Sequence, residues 1–475
     1  MPELEIHSIN VSQGDSTLII NRDINKLEQN IDKAIKAKKT LGLKPINPVD
    51  FLPFAISEKI DLKNTIRMAM LIDAGDDIYG GDVANYLEQQ GVDNTTEFYT
   101  LATHYHADHV GGFYAVFYKN YDVKKQLDLQ TVNLAPKVAY DCGDLLKWDD
   151  TLTKTIYKAY IADLKRRGLT DSGIFDFSKK YNLGQDSNGE WICLQAIASN
   201  GTVSVDGQKK KKQAIDPKKS PDQNARSVTL ILTYGEFRCF LGGDIGGKGE
   251  ESGGNFGANK DTRVKAFYSS HPDIETHITK VLPKVIVKDP ARARTAPGHI
   301  CLHSANHHGS ASSNDVFLIE QMQPKVVFCS AGIKASFHCH PTQEFFQRVD
   351  KNVKYSPSWQ APGNTTTSNP TIPNTVDGYY ITEMAQDGRY GKGKAAKQYK
   401  RTLPQGKILG DIIMRPISQV TPNHMLFSGS IDIQVYGTGI TTDSTMSPIS
   451  LRPMEPATQA PLYPIGPFIH SCDKH

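Results

Sequence analysis

The chain has 475 residues, enough for two or three ordinary domains or one large decorated one. Its 39% hydrophobic and 22% charged content is that of a globular protein, and a net charge of +3 excludes a surface coated with basic residues for gripping nucleic acid, although a local patch would not show in the total. The N-terminus MPELEIHSINVSQGD lacks a secretion-signal pattern, no stretch is apolar for long enough to span a bilayer, and the seven scattered cysteines form no CxxC pair, so the expectation is a cytoplasmic, non-membrane protein without a disulfide scaffold.

In chain order, residues 4–20 read as two short strands around a turn at Gln13-Gly14-Asp15. A charged helical segment, KLEQNIDKAIKAKK, and a Pro-rich connection follow and read as an insertion. MAMLIDAG at 68–75 is a buried strand, DVANYLEQQG at 82–91 a short helix closed by Gly91, and FYTLATH at 98–104 a second buried strand. The pattern weakens from about 113 to 222, apart from a helix at 150–167 and a hairpin tip or loop at Lys209–Lys212. It returns at 227–244, where two β-rich runs flank Tyr234-Gly235-Glu236. A Gly-rich run at 246–262, a helix near 314–322 and a buried strand at 325–332 follow. Beyond 351 turn residues mix with strands such as DGYYITEM and SIDIQVYG, and the last 25 residues read as extended.

Histidine carries the functional signal. Nine of the 15 histidines lie in the windows 104–109, 299–308 and 338–340, a clustering that suits metal ligands better than solvated side chains. THYHADHVGG at 103–112 holds the pattern HxHxDH at the end of a strand. Histidines at i and i+2 of an extended segment point the same way, and the Asp-His pair that follows turns two further groups toward a second metal position. Gly111 and Gly112 are expected to turn the chain into a helix whose N-terminus faces the site.

These residues resemble the metallo-β-lactamase superfamily. VSQGDST at 11–17, LIDAG at 71–75, NARSVTLIL at 224–232, FLGGD at 240–244, HHGSASSN at 307–314 and the His340-Pro341 pair are similar, in order, to islands of the ComEC-type hydrolase domain of the bacterial DNA-uptake channel and its soluble relatives. The resemblance implies an α/β (α+β) fold, the αββα four-layer sandwich. It implies a hydrolase domain over 1–350, with insertions at about 21–66, 113–222 and 246–297. Residues 351–475 would be an extension able to complete the second sheet.

The same resemblance implies two zinc ions, with manganese as an alternative. His104 and His106 would hold the first, Asp108 and His109 would help hold the second, and Asp244 would bridge both. One of His307 and His308 would complete the second position, with His308 favoured. The usual third histidine of the first position is missing: none stands between 110 and 243, where the corresponding region offers Asn224. Histidine rather than glutamate at 106 argues against redox iron.

Asp108 would orient a metal-activated hydroxide and accept its proton, and His340 and Ser310 would hold a phosphate. The competing role for His340 is a turn residue before proline, and for Ser310 a helix cap. Asp15 and Asp73 read as supports beneath the ligands, and His299 and His303 as structural. The functional expectation is a phosphodiesterase or nuclease acting on nucleic acid or a nucleotide. The alternatives are hydrolysis of a small ester, thioester or lactam, and a non-catalytic binding module that kept the fold. Oligomeric state is left open.

Overall fold

The computed structural model describes residues 3–37, 58–117, 134–143, 151–166, 173–176, 179–206, 210–215, 222–247, 272–286, 298–310, 312–332, 340–350, 376–384, 387–390, 397–400, 408–418, 431–437 and 465–472, together with residues 52, 55 and 168. Most of the Gly-rich run at 246–262, Lys209 of the expected lysine tip, and the Pro-rich stretch before 465 lie outside the described residues.

The strands in chain order are β1 (Leu4–Ser8), β2 (Thr17–Arg22), β3 (Ile66–Ile72), β4 (Glu97–Leu101), β5 (Val138–Asp141), β6 (Gly173–Ile174), β7 (Lys180–Gln185), β8 (Trp191–Ser199), β9 (Thr202–Ser204) and β10 (Lys211–Gln213). They continue with β11 (Thr229–Tyr234), β12 (Phe237–Leu241), β13 (Leu302–Ser304), β14 (Val326–Cys329), β15 (Gly378–Ile381), β16 (Asp387–Tyr390), β17 (Lys397–Lys400), β18 (Ile412–Ser418), β19 (Ile431–Gly437) and β20 (Ile465–Ser471). The helices are α1 (Ile24–Ala37), α2 (Gly80–Gln89), α3 (Ala107–Val110), α4 (Phe113–Phe117), α5 (Thr151–Arg166), α6 (Glu275–Thr279), α7 (Leu282–Val285), α8 (Val316–Met322) and α9 (Gln343–Val349).

Two mixed sheets carry the fold. The first runs β20-β19-β18-β1-β2-β3-β4-β5-β6, and the second β10-β9-β8-β11-β12-β13-β14-β15 with β7 beside β8. Each is antiparallel on one side and parallel on the other: β3 to β6 in the first sheet, β12 to β15 in the second.

Period-two burial explains how the layers meet. Leu4 and Ile6 of β1, Leu230 and Leu232 of β11, Cys239 and Leu241 of β12, and Val326 and Phe328 of β14 share one core between the sheets. Alternate residues face outward under helices. Ile231 and Phe240 pack with Ile278 of α6, Leu282 of α7 and Ile319 of α8, while Ile413 and Tyr436 pack with Ile24, Leu27 and Ile31 of α1. The result is an α/β sandwich of two sheets with helices outside, and the described residues include no helix long and apolar enough to cross a membrane.

Three expectations change. Residues 113–222 contribute strands to both sheets, β5 and β6 to the first and β7 to β10 to the second. Lys211 and Lys212 stand on the edge strand β10, paired with Ser204 and Val203. The C-terminal residues, expected to complete the second sheet, add only β15 to it, whereas β18, β19 and β20 extend the first sheet beside β1.

Candidate metal centre

The parallel halves of the two sheets direct their strand ends to one place, as open parallel sheets do with ligand-binding loops. Asp73 follows β3, Thr103 to His109 follow β4, Asp244 follows β12, His307 and His308 follow β13, and Ser330 follows β14. A helix does follow the glycine pair, α4, and a further short helix, α3, begins inside the motif. His106 is the extended residue before α3, so Asp108 and His109 occupy its first turn, and Gly111 and Gly112 separate α3 from α4. Gly112 is required for closeness, because a Cβ there would lie 1.9 Å from the Ala74 carbonyl oxygen.

Asp244 is the meeting point. Its Oδ2 lies 3.2 Å from His109 Nε2, 3.5 Å from His308 Nε2, and 3.8 Å from both His104 Nε2 and His307 Nε2. His104, His106 and Asp244 form one group able to hold a metal ion, and Asp108, His109 and His308 form another. Of the two adjacent histidines, His308 joins the Asp108–His109 group, with its Nε2 3.5 Å from Asp108 Oδ2. His307 is turned toward Asn224, whose Nδ2 is 3.4 Å from its Nε2. Asp244 Oδ1 is buried without a hydrogen bond, and His109 Nε2 and His308 Nε2 face carboxylate oxygens outside hydrogen-bond geometry. Buried polar atoms left without hydrogen bonds and aimed at one point are what a bound cation satisfies. The mixed imidazole and carboxylate donors fit zinc or manganese.

The imidazoles are oriented from behind. Asp73 adopts a left-handed backbone conformation (φ 55°) and receives the Thr103 N–H at 2.8 Å, the Thr103 hydroxyl at 2.6 Å and His109 Nδ1 at 2.8 Å. His104 Nδ1 faces the hydroxyls of Thr103 at 3.2 Å and Ser227 at 3.3 Å, which leaves its Nε2 directed at the centre. Ser227 also accepts the Asp244 N–H at 3.0 Å. His308 Nδ1 faces the Ser330 carbonyl at 3.1 Å and Asp15 Oδ1 at 3.2 Å, so a carbonyl and a carboxylate stand behind this imidazole.

Electrostatics follow from burial and neighbours. Burial alone would lower the pKa of His109 and His308, but Asp244 with Asp73, and Asp244 with Asp15, hold them well above the usual value. His104 is held well below it by burial and by the charge of His109. Burial would raise Asp244, yet the His109 and His308 charges pull its carboxyl well down.

His307, His308 and Gly309 all have positive φ, at 50°, 52° and 74°. A left-handed non-glycine residue costs on the order of 1–2 kcal/mol, so the surroundings must hold this turn. They do so through residues that the sequence reading did not single out. Glu275 Oε1 accepts Asn306 Nδ2 at 2.7 Å and the Asn314 N–H at 2.6 Å, while Oε2 accepts the Asp315 N–H at 2.7 Å. Asn314 Oδ1 in turn receives the Asn306 N–H at 2.8 Å and faces His303 Nε2 at 3.0 Å. The asparagines flanking the His-His-Gly-Ser run were the available signal, whereas Glu275 lies in a stretch read as insertion.

Ser310 is buried in the turn, where its N–H donates to the His307 carbonyl at 2.8 Å and its Oγ lies 3.2 Å from Ser312 Oγ. It does not cap α8, because Asp315 occupies the position before that helix. His340 is buried beside the centre, its ring centroid 5.5 Å from that of His307 and 6.1 Å from that of His308.

Fold and site together define an α/β sandwich with buried His/Asp clusters, able to hold a metal ion, at the strand ends. No family model matches the chain, and no curated protein matches it significantly.

Proposed function

We propose that this protein is a metal-dependent hydrolase of the metallo-β-lactamase type and that it cleaves phosphodiesters in nucleic acid or a nucleotide. The observation that carries the reading is the convergence of two largely buried groups, His104 with His106 and Asp108 with His109 and His308, on the single carboxylate of Asp244. Adjacent zinc or manganese ions held there would lower the pKa of water toward neutrality and offset charge on the reacting oxygens. Asp108, partly exposed at the start of α3, is the carboxylate available to orient the attacking water and take its proton. His340 and His307 stand beside the groups as nitrogen donors for a phosphoryl oxygen. The order of the sequence islands favours a phosphodiester over a carbon ester or lactam.

The test is hydrolysis of bis-p-nitrophenyl phosphate, single-stranded DNA and a lactam reporter with zinc or manganese supplied. Phosphodiester cleavage that falls by roughly a hundredfold or more in both His106→Ala and Asp244→Ala is expected. Turnover of the lactam alone would move the substrate class to carbon esters and amides. Absence of bound metal in the wild-type protein would leave the binding-module reading.

A further inference from the structure

The two groups that meet at Asp244 are built unequally. His104, His106 and Asp244 give the first position three donors, and the described residues add no further His, Cys, Asp or Glu to that group. Asn224, where the resemblance to the metallo-β-lactamase superfamily would put a third imidazole, directs its amide at His307. The second group has Asp108, His109 and His308, with Asp244 Oδ2 within 3.2 Å of His109 Nε2 and 3.5 Å of His308 Nε2, hence four donors, two of them carboxylates.

The outer partners widen the difference. His109 has a carboxylate at Nδ1, Asp73 at 2.8 Å, and His308 Nδ1 has the Ser330 carbonyl at 3.1 Å with the Asp15 carboxylate 3.2 Å away, whereas His104 has only the Thr103 and Ser227 hydroxyls. A carboxylate behind a ligating imidazole fixes its tautomer and makes Nε2 a stronger donor, and losing such a partner typically costs about 10–100-fold in metal affinity. Four carboxylates, Asp15, Asp73, Asp108 and Asp244, thus surround the second position, and one serves the first. Two buried atoms of this second group point to a ligand independently of the charge count: His109 Nε2 and His308 Nε2 are both enclosed and without hydrogen bonds.

We propose that the position held by Asp108, His109 and His308 takes the first metal ion, and that the His104–His106 position fills only at much higher metal concentration. The protein then exists in a one-ion and a two-ion form, and the first position is the one open to exchange. The inference rests on the metal-centre reading above and extends it to an order of loading.

The experiment titrates the full chain, stripped with chelator and dialysed, with Co2+ followed by visible absorption and with Zn2+ followed by calorimetry. Two binding events are expected, with dissociation constants separated by roughly tenfold or more. His104→Ala should keep the tight event and lose the weak one, so that stoichiometry falls from two to one. Asp15→Asn, which removes the charge behind His308 and keeps an acceptor oxygen, should weaken the tight event by about 10–100-fold and leave the weak one in place. Two ions bound with equal affinity, or loss of the tight event in His104→Ala, would overturn the order of loading while leaving the metal centre intact. A wild-type protein that binds neither cobalt nor zinc would overturn the metal centre itself.

Discussion

Asp73 shows how much of the centre depends on one buried carboxylate. It receives Thr103 through both N–H and hydroxyl and His109 through Nδ1, so it sets the Asp108–His109 group directly and His104 through Thr103. Asparagine tolerates the left-handed region that this residue occupies, so Asp73→Asn removes the charge without adding backbone strain, whereas Asp73→Ala adds about 1–2 kcal/mol of strain to the lost bonds. Asp73→Asn should weaken metal binding by about 10–100-fold, seen by calorimetry, with a smaller loss of thermal stability than Asp73→Ala. Equal melting temperatures for the two variants would show that the conformation at 73 is not under strain.

The residues that form the centre were legible in the sequence because ligand chemistry needs particular side chains at short spacings, so His104, His106, Asp108 and His109 declare themselves in one turn of chain. The separation of His307 from His308 was only weakly legible. Two adjacent histidines are chemically alike, and what distinguishes them is a pair of left-handed residues that sends one ring to Asp108 and the other to Asn224.

At the level of turns and strands, the segment between β1 and β2 is shaped by contact with α3. Gly14 has φ 141°, and a Cβ on it would lie 2.4 Å from the Asp108 carbonyl oxygen. The Asp15 N–H also donates to that carbonyl at 3.1 Å, and Ser330 Oγ donates to the Gly14 carbonyl at 2.6 Å. The glycine therefore lets one turn lie directly under the helix that presents Asp108 and His109. Gly14→Ala should push these apart, with about 1–3 kcal/mol lost in denaturant unfolding and metal affinity falling in parallel. An alanine variant with unchanged unfolding and unchanged metal binding would show that the turn has room to shift.

The strands adjoining these motifs were readable from continuous apolar runs such as MAMLI and VTLIL. Those of the 113–222 stretch were not. Trp191–Ser199 mixes polar and apolar residues, and β6, β9 and β10 are two or three residues long, too short for a period to show. The strands β18 to β20 were hard to place for another reason: they join the first sheet through the pairing of β18 with β1, which spans some four hundred residues, and nothing local specifies it.

The molecule as a whole is clamped by buried charges on the outer face of the first sheet, away from the shared core. Arg22 reaches Glu5 through Nε at 2.7 Å and Nη2 at 2.8 Å and also donates to Thr65 Oγ1 at 2.8 Å and the Gln90 carbonyl at 3.2 Å, while His7 sits 3.2 Å from the same carboxylate. This ties β1 and β2 to the chain entering β3 and leaving α2. Burial would raise the Glu5 pKa, but Arg22 and the hydrogen bonds from His7 and Arg22 bring it down to about 2, against a usual 4.5. A carboxyl depressed in the folded state contributes stability that is fully present above 4.5 and is lost as pH falls toward 2. At pH 7, Glu5→Gln leaves a buried guanidinium without its counter-charge and should cost about 3–5 kcal/mol. Between pH 7 and pH 3 that cost should shrink by about 2 kcal/mol, because the unfolded wild-type chain is by then protonated.

Glu275 behaves in the opposite sense. Burial and the neighbouring Asp315 raise its pKa to about 8, so its contribution is fully present below 4.5 and is lost as pH rises through 8. Glu275→Gln, whose amide nitrogen in place of Oε2 cannot accept the Asp315 N–H, should destabilise the turn that bears His307 and His308 most at pH 5 and less at pH 8. Urea unfolding of the two variants and the wild type across this range separates the two effects. A Glu5→Gln cost that stayed constant from pH 7 to pH 3 would mean that Glu5 is not held ionised by Arg22. A Glu275→Gln cost that grew with pH would mean that its carboxyl is charged in the folded protein at neutrality.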